Sequence, residues 1–191
     1  FEYKNTGQSS YFKLTSSAAL RDTTNWYHLV AIFDTNSSGG GSSDTGASAR
    51  VRMYLNGRLM DVSLTGSIGA DYESLTWNNT YVHEILNQRT STFPFDGYIA
   101  EVNFIDGTAV GHTQVGDDYI LDELGEMKNG VWIPADPTSL TYGTNGFRLQ
   151  FKQTGTGTAS TSTIGADTAN SHHFTSTNIN DYDSNILDCP E

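Results

Sequence analysis

The sequence predicts an all-β fold, a two-sheet antiparallel sandwich with at most one short helix. Three observations lead there. Short apolar or alternating runs recur at close intervals along the 191 residues. Nineteen glycines and abundant Ser, Thr and Asn separate them, and ten tyrosines and nine phenylalanines supply aromatic bulk. Aromatic and β-branched residues fit a pleated, half-buried surface, whereas Gly, Asn, Asp and Ser make the turns between strands. The length suits one domain, residues 1–191, with a sizeable core.

Taken in order, the strand candidates are 10–14, 27–34, 50–55, 58–64, 81–86, 98–105, 147–151 and 172–177. The run TNWYHLVAIFD is too short for a long helix and rich in β-formers, which predicts a central strand buried on both faces with Trp26 and Leu29 in the core. Two alternating runs flank Asn56-Gly57 in RVRMYLNGRLMDVSL, the strongest local hairpin signal, because both turn residues must take positive φ. Val51, Tyr54, Val102, Phe104 and Trp132 are further core candidates. Residues 35–49 and 153–171 are polar and glycine-rich, and are expected to be flexible loops that bury nothing. Ile120, Leu121 and Leu124 sit at helical spacing behind acidic residues, so 117–127 is expected to hold the one short helix. In FPFDGYIAEVNFIDGTAV, two Asp-Gly turns bracket an alternating strand. The chain opens without Met inside an alternating run, which is expected of a processed or partial chain.

Composition narrows the function. A formal charge of -12, with Lys and Arg scattered singly, lacks the basic footprint of nucleic-acid binding. No apolar run approaches the roughly 18 residues of a membrane helix. The single cysteine, Cys189, allows no intrachain disulfide.

Catalytic patterns are weak. A retaining glycosidase needs two carboxylates about 5 Å apart, on a strand Glu-x-Asp-x-Glu. Glu101 and Asp106 are an odd number of residues apart, and Asp122, Glu123 and Glu126 do not alternate. His28, His83, His172 and His173 lack a chelating i, i+2 spacing and are expected to be structural. The sequence predicts no catalytic residue and no enzyme activity. Tyr72 and Trp77, in the polar stretch GADYESLTWNNT, are the candidates for stacking on sugar rings.

Several motifs follow one another in a fixed order. They are Trp26-Tyr27-His28, Tyr54-Leu55-Asn56-Gly57, FDGYIAEVNFIDG at 95–107, GVWIP at 130–134, YGTNGF at 142–147 and LDCP at 187–190. In this order, from about Asn25 onward, the chain resembles the laminin-G-like, concanavalin A-like jelly-roll domains of phage and marine-virus structural proteins. It departs from them at 117–127 and 87–94, and starts downstream of strands that similar domains carry. The resemblance implies a jelly roll lacking N-terminal strands, on a virion surface or otherwise extracellular, as a tail-fibre or capsid-surface component. It implies adhesion to cell-surface glycans or decoration of the particle, with other virion proteins and copies of itself as partners, a trimer before a dimer. Calcium is frequent in such domains, and Asp117, Asp118 and Asp122 are the candidate ligands. Purely structural assembly and polysaccharide degradation are the alternative functions.

Overall fold

The computed structural model describes residues 2–4, 11–34, 49–66, 78–80, 82–86, 95–111, 113–115 and 118–179. Among these the protein is all-β, every pairing between strands is antiparallel, and helix is confined to two single 3-10 turns, Asp122–Leu124 and Pro137–Ser139. The chain divides into two compact units, Phe1–Thr76 with Ala109–Ser139, and Trp77–Thr108 with Leu140–Glu191.

Among the described residues the first unit carries three sheets. One is three-stranded, with β1 (Glu2–Lys4), β2 (Tyr11–Ser16) and β6 (Val62–Gly66) in the order β1-β2-β6. A five-stranded sheet has the order β3-β4-β5-β9-β8, made of β3 (Leu29–Phe33), β4 (Val51–Leu55), β5 (Arg58–Leu59), β9 (Asp118–Ile120) and β8 (Thr113–Val115). The third is a hairpin of β10 (Gly125–Lys128) and β11 (Val131–Pro134).

Strand β2 shows why alternation specifies this unit. Phe12 and Leu14 are buried while Lys13 and Thr15 face solvent, so one face of the strand is apolar. The Phe12 ring stacks on Phe33 of β3 at 5.9 Å, joining the three-stranded sheet to the five-stranded one. The Asn56-Gly57 hairpin forms as expected, with φ of 48° and 76° and Leu55 opposite Arg58. The expected strand 58–64 breaks in two at Met60-Asp61. Its first part pairs with β4; its second, β6, leaves that sheet to pair with β2, from Ser16↔Val62 to Phe12↔Gly66. Strands that switch sheets in this way turn the corners of sandwiches.

Several expectations are corrected. The central strand buried on both faces is β4, whose Val51 and Tyr54 on opposite faces are both buried. Strand β3 ends the five-stranded sheet, and Leu29 is 44% exposed. Trp26 is 39% exposed and precedes the strand. It follows a turn fixed by Asp22, whose Oδ1 accepts the Thr24 backbone N–H at 2.9 Å and the Thr24 hydroxyl at 2.6 Å. The helix expected at 117–127 is instead β9, a 3-10 turn and β10. Ile120 pairs with Arg58, buried Leu121 donates its N–H to the Gly57 carbonyl at 2.9 Å, and Gly125 is extended.

In the second unit, β7 (Val102–Phe104) pairs with β12 (Phe147–Leu149). Phe104 lies against Phe147 at 5.5 Å, and Phe147 meets Phe174 edge-on at 4.9 Å. Val102 and Phe104 are half-buried, whereas Tyr142, Leu149 and Ala166 are buried. Only 102–104 of the expected strand 98–105 and 147–149 of 147–151 are strand, and 82–86 contain none. Residues 172–177 form no strand either: the Phe174 and Ser176 N–H groups donate to the Gly165 and Gly157 carbonyls. The Phe174 and Ser176 donors are therefore not free to pair with a further strand. Nor does 153–171 bury nothing, since Thr163, Ala166 and Asp167 are all buried. Residues 35–48 lie outside the described residues.

Candidate functional site

Of the residues proposed from sequence, Tyr72, Trp77 and Asp117 lie outside the described residues, as does Cys189. Asp118 is the first residue of β9, and Asp122 is exposed at the start of a 3-10 turn. Among the described residues no three His, Cys, Asp or Glu side chains come together in a way that could hold a metal ion.

The sequence motifs instead meet in two constellations, one in each unit. In the first, His28 and Asn56 exchange hydrogen bonds: the His28 N–H donates to Asn56 Oδ1 at 2.8 Å and the Asn56 N–H to the His28 carbonyl at 2.8 Å. The Trp132 indole N–H donates to His28 Nδ1 at 2.9 Å, with the two rings nearly parallel at 6.0 Å. A neutral His28 accepting at Nδ1 carries its proton on Nε2. Two glycines make room for the indole. A Cβ on Gly57 would fall 2.1 Å from the Trp132 ring, and one on Gly125 would fall 2.4 Å from it. Thus Trp-Tyr-His, Tyr-x-Asn-Gly and Gly-Val-Trp-x-Pro converge on one packed contact.

The second constellation is carboxylate-centred. Glu101 Oε1 accepts Arg148 Nε at 2.7 Å and Asn103 Nδ2 at 3.1 Å, while the Tyr142 hydroxyl donates to Asn103 Oδ1 at 2.6 Å. Asp106 Oδ1 accepts Asn78 Nδ2 at 2.6 Å, and its Oδ2 accepts the Asn145 N–H at 3.0 Å. A Cβ on Gly143 would lie 2.2 Å from the Asp106 carbonyl oxygen, so the YGTNG turn needs glycine at that place.

A third carboxylate of this unit, Asp167, is held by the backbone. Only 4% exposed, it accepts four backbone N–H groups: Arg148 at 2.8 Å and Ala169 at 2.9 Å on Oδ1, His172 at 3.0 Å and Asn170 at 3.2 Å on Oδ2. Burial alone would raise its pKa, but the four donors together outweigh burial and hold the carboxyl below its ordinary value. Around it, Asn170 Nδ2 donates to the Gly143 and Gly146 carbonyls, and His172 Nε2 to the Thr144 carbonyl at 3.0 Å. His173 Nδ1 accepts the Asp167 N–H at 3.1 Å. Both histidines serve the backbone, in keeping with their expected structural role.

Sequence reasoning did not single out Asp167, which stands within a stretch read as low-complexity. Its signal was Asp-Thr-Ala-Asn, an Asx-type turn in which the side chain accepts N–H groups two and three residues on.

No family model matches the chain, and no curated protein or solved structure matches it.

Proposed function

We propose that this chain is a non-enzymatic virion structural protein, a laminin-G-like, concanavalin A-like jelly-roll module. On a tail fibre or capsid surface it adheres to cell-surface glycans or decorates the particle. The observation that carries the reading is the use made of its carboxylates: Glu101, Asp106 and Asp167 each accept donors from neighbouring turns and strands. Such groups organise loops for display, and the order of the motifs supplies the family. No resident cofactor is required. Asp117, Asp118 and Asp122 are the candidate calcium ligands, and melts with and without the ion test them.

For sugar stacking, Tyr72 and Trp77 are joined by Trp26, whose exposed indole stands beside a turn rich in hydrogen-bonding side chains. A glycan array probed with the labelled protein should show selective binding, lost in at least one of Trp26→Ala, Tyr72→Ala and Trp77→Ala. An array without signal removes the adhesin reading.

A second reading, decoration or assembly without glycan binding, is favoured by the exposed apolar side chains of the second unit. Val82 is 77% and Tyr98 69% exposed, and Ile85 and Phe95 are exposed beside them in sequence. In either case the module works as a homo-oligomer, with a trimer favoured, in contact with other virion proteins. Sedimentation as a monomer at micromolar concentration would contradict that part.

A further inference from the structure

Asn-Gly occurs at Asn56-Gly57, Asn129-Gly130 and Asn145-Gly146, and the structure holds the three pairs differently. Asn56 is tied to His28 by two hydrogen bonds, one accepted by its side-chain Oδ1 and one donated by its backbone N–H, and Gly57 is buried against the Trp132 ring. The Asn145 N–H is bound by Asp106. Gly146 is buried, its carbonyl accepts Asn170 Nδ2 at 2.7 Å, and a Cβ on it would fall 1.8 Å from the Tyr142 carbonyl oxygen. Asn129-Gly130, with φ of 52° and 82°, forms the two-residue tip of the β10–β11 hairpin. Both residues are exposed, and a Cβ on Gly130 would meet nothing within 4 Å.

We infer that Asn129 is a selective site of spontaneous deamidation. The Gly130 backbone nitrogen, after losing its proton to solvent base, attacks Cγ of Asn129. A new N–Cγ bond forms, the Cγ–Nδ2 bond breaks, and the side-chain nitrogen leaves as ammonia after taking a proton from solvent. Water then opens the cyclic imide at either carbonyl, giving aspartate or isoaspartate. No electrons are exchanged. Water is consumed, ammonia is released and one negative charge is gained. The attack needs the turn to open so that the Gly130 nitrogen can approach Cγ, and an exposed hairpin tip frays more readily than a turn locked by packing. Glycine on the C-terminal side places no Cβ in the way.

The modification would matter because of where the hairpin leads. Isoaspartate lengthens the backbone inside a turn that sets the register Lys128↔Val131 and Met127↔Trp132. Trp132 is the ring held by His28, so ageing at the tip would loosen the contact on which three of the sequence motifs converge.

The test uses folded wild-type protein kept at mildly alkaline pH, sampled over time, digested and mapped by mass spectrometry. The Asn129 peptide should gain about one dalton first, about tenfold or more ahead of the Asn56 and Asn145 peptides. In denaturant the three rates should converge. Comparable rates at the three sites in the folded protein would overturn the inference. So would an Asn129 peptide that stays unchanged when folded while converting in denaturant.

Discussion

Asp167→Asn should destabilise the protein by on the order of 3 kcal/mol. The substitution barely changes shape. Its cost comes from directing an amide NH2 at two backbone donors where the carboxylate directed an oxygen. Whichever way the amide is turned, either Arg148 and Ala169 or Asn170 and His172 lose their acceptor in a buried or part-buried place. The pH dependence follows from the lowered carboxyl pKa. A carboxyl held below its ordinary 3.8 contributes stability that is fully present above that value and is lost as pH falls through the lower folded value. Urea melts of the wild type should therefore weaken below about pH 4, and Asp167→Asn should lack that part of the acid dependence. A variant that melts at the wild-type urea concentration near neutral pH would show that the four hydrogen bonds do not hold these loops.

Gly57→Val should cost on the order of 4 kcal/mol or prevent folding. Two penalties coincide. The residue has φ of 76°, a conformation that β-branched side chains avoid, and its Cβ would penetrate the Trp132 ring. The second penalty can be separated from the first. If the clash is real, Trp132→Ala should cost less in the Gly57→Val background than in the wild type, a coupling that thermal melts of the double-mutant cycle would read. Additive losses would place Trp132 elsewhere.

How far the sequence could be read depended on whether the signal was local. The Asn56-Gly57 hairpin was legible because a two-residue turn with positive φ at both positions has its own residue chemistry. Burial of Val51 and Tyr54 followed from the pattern beside it. The switch of sheets at Met60-Asp61 was not legible, because alternation says which residues share a face and not which sheet the strand joins. The false helix at 117–127 rested on three apolar residues at helical spacing, and β9 followed by a 3-10 turn satisfies the same spacing. Trp26 was misplaced because aromatic character was read as burial, while the Asp22 turn ends only just before it. The polar stretch around Asp167 looked empty because a carboxylate that accepts N–H groups organises a loop without any apolar pattern.

The central claim of the proposed function is that Glu101, Asp106 and Asp167 hold structure and do not act on a substrate. Glu101 is the sharpest case, since it stands within the 95–107 motif and is bonded to Arg148 and Asn103. The most direct measurement is the release of new reducing ends when the folded protein is incubated with algal and bacterial-surface polysaccharides. The account expects none from the wild type. Release that disappears in a folded Glu101→Gln variant would contradict it and make the protein a polysaccharide-degrading enzyme.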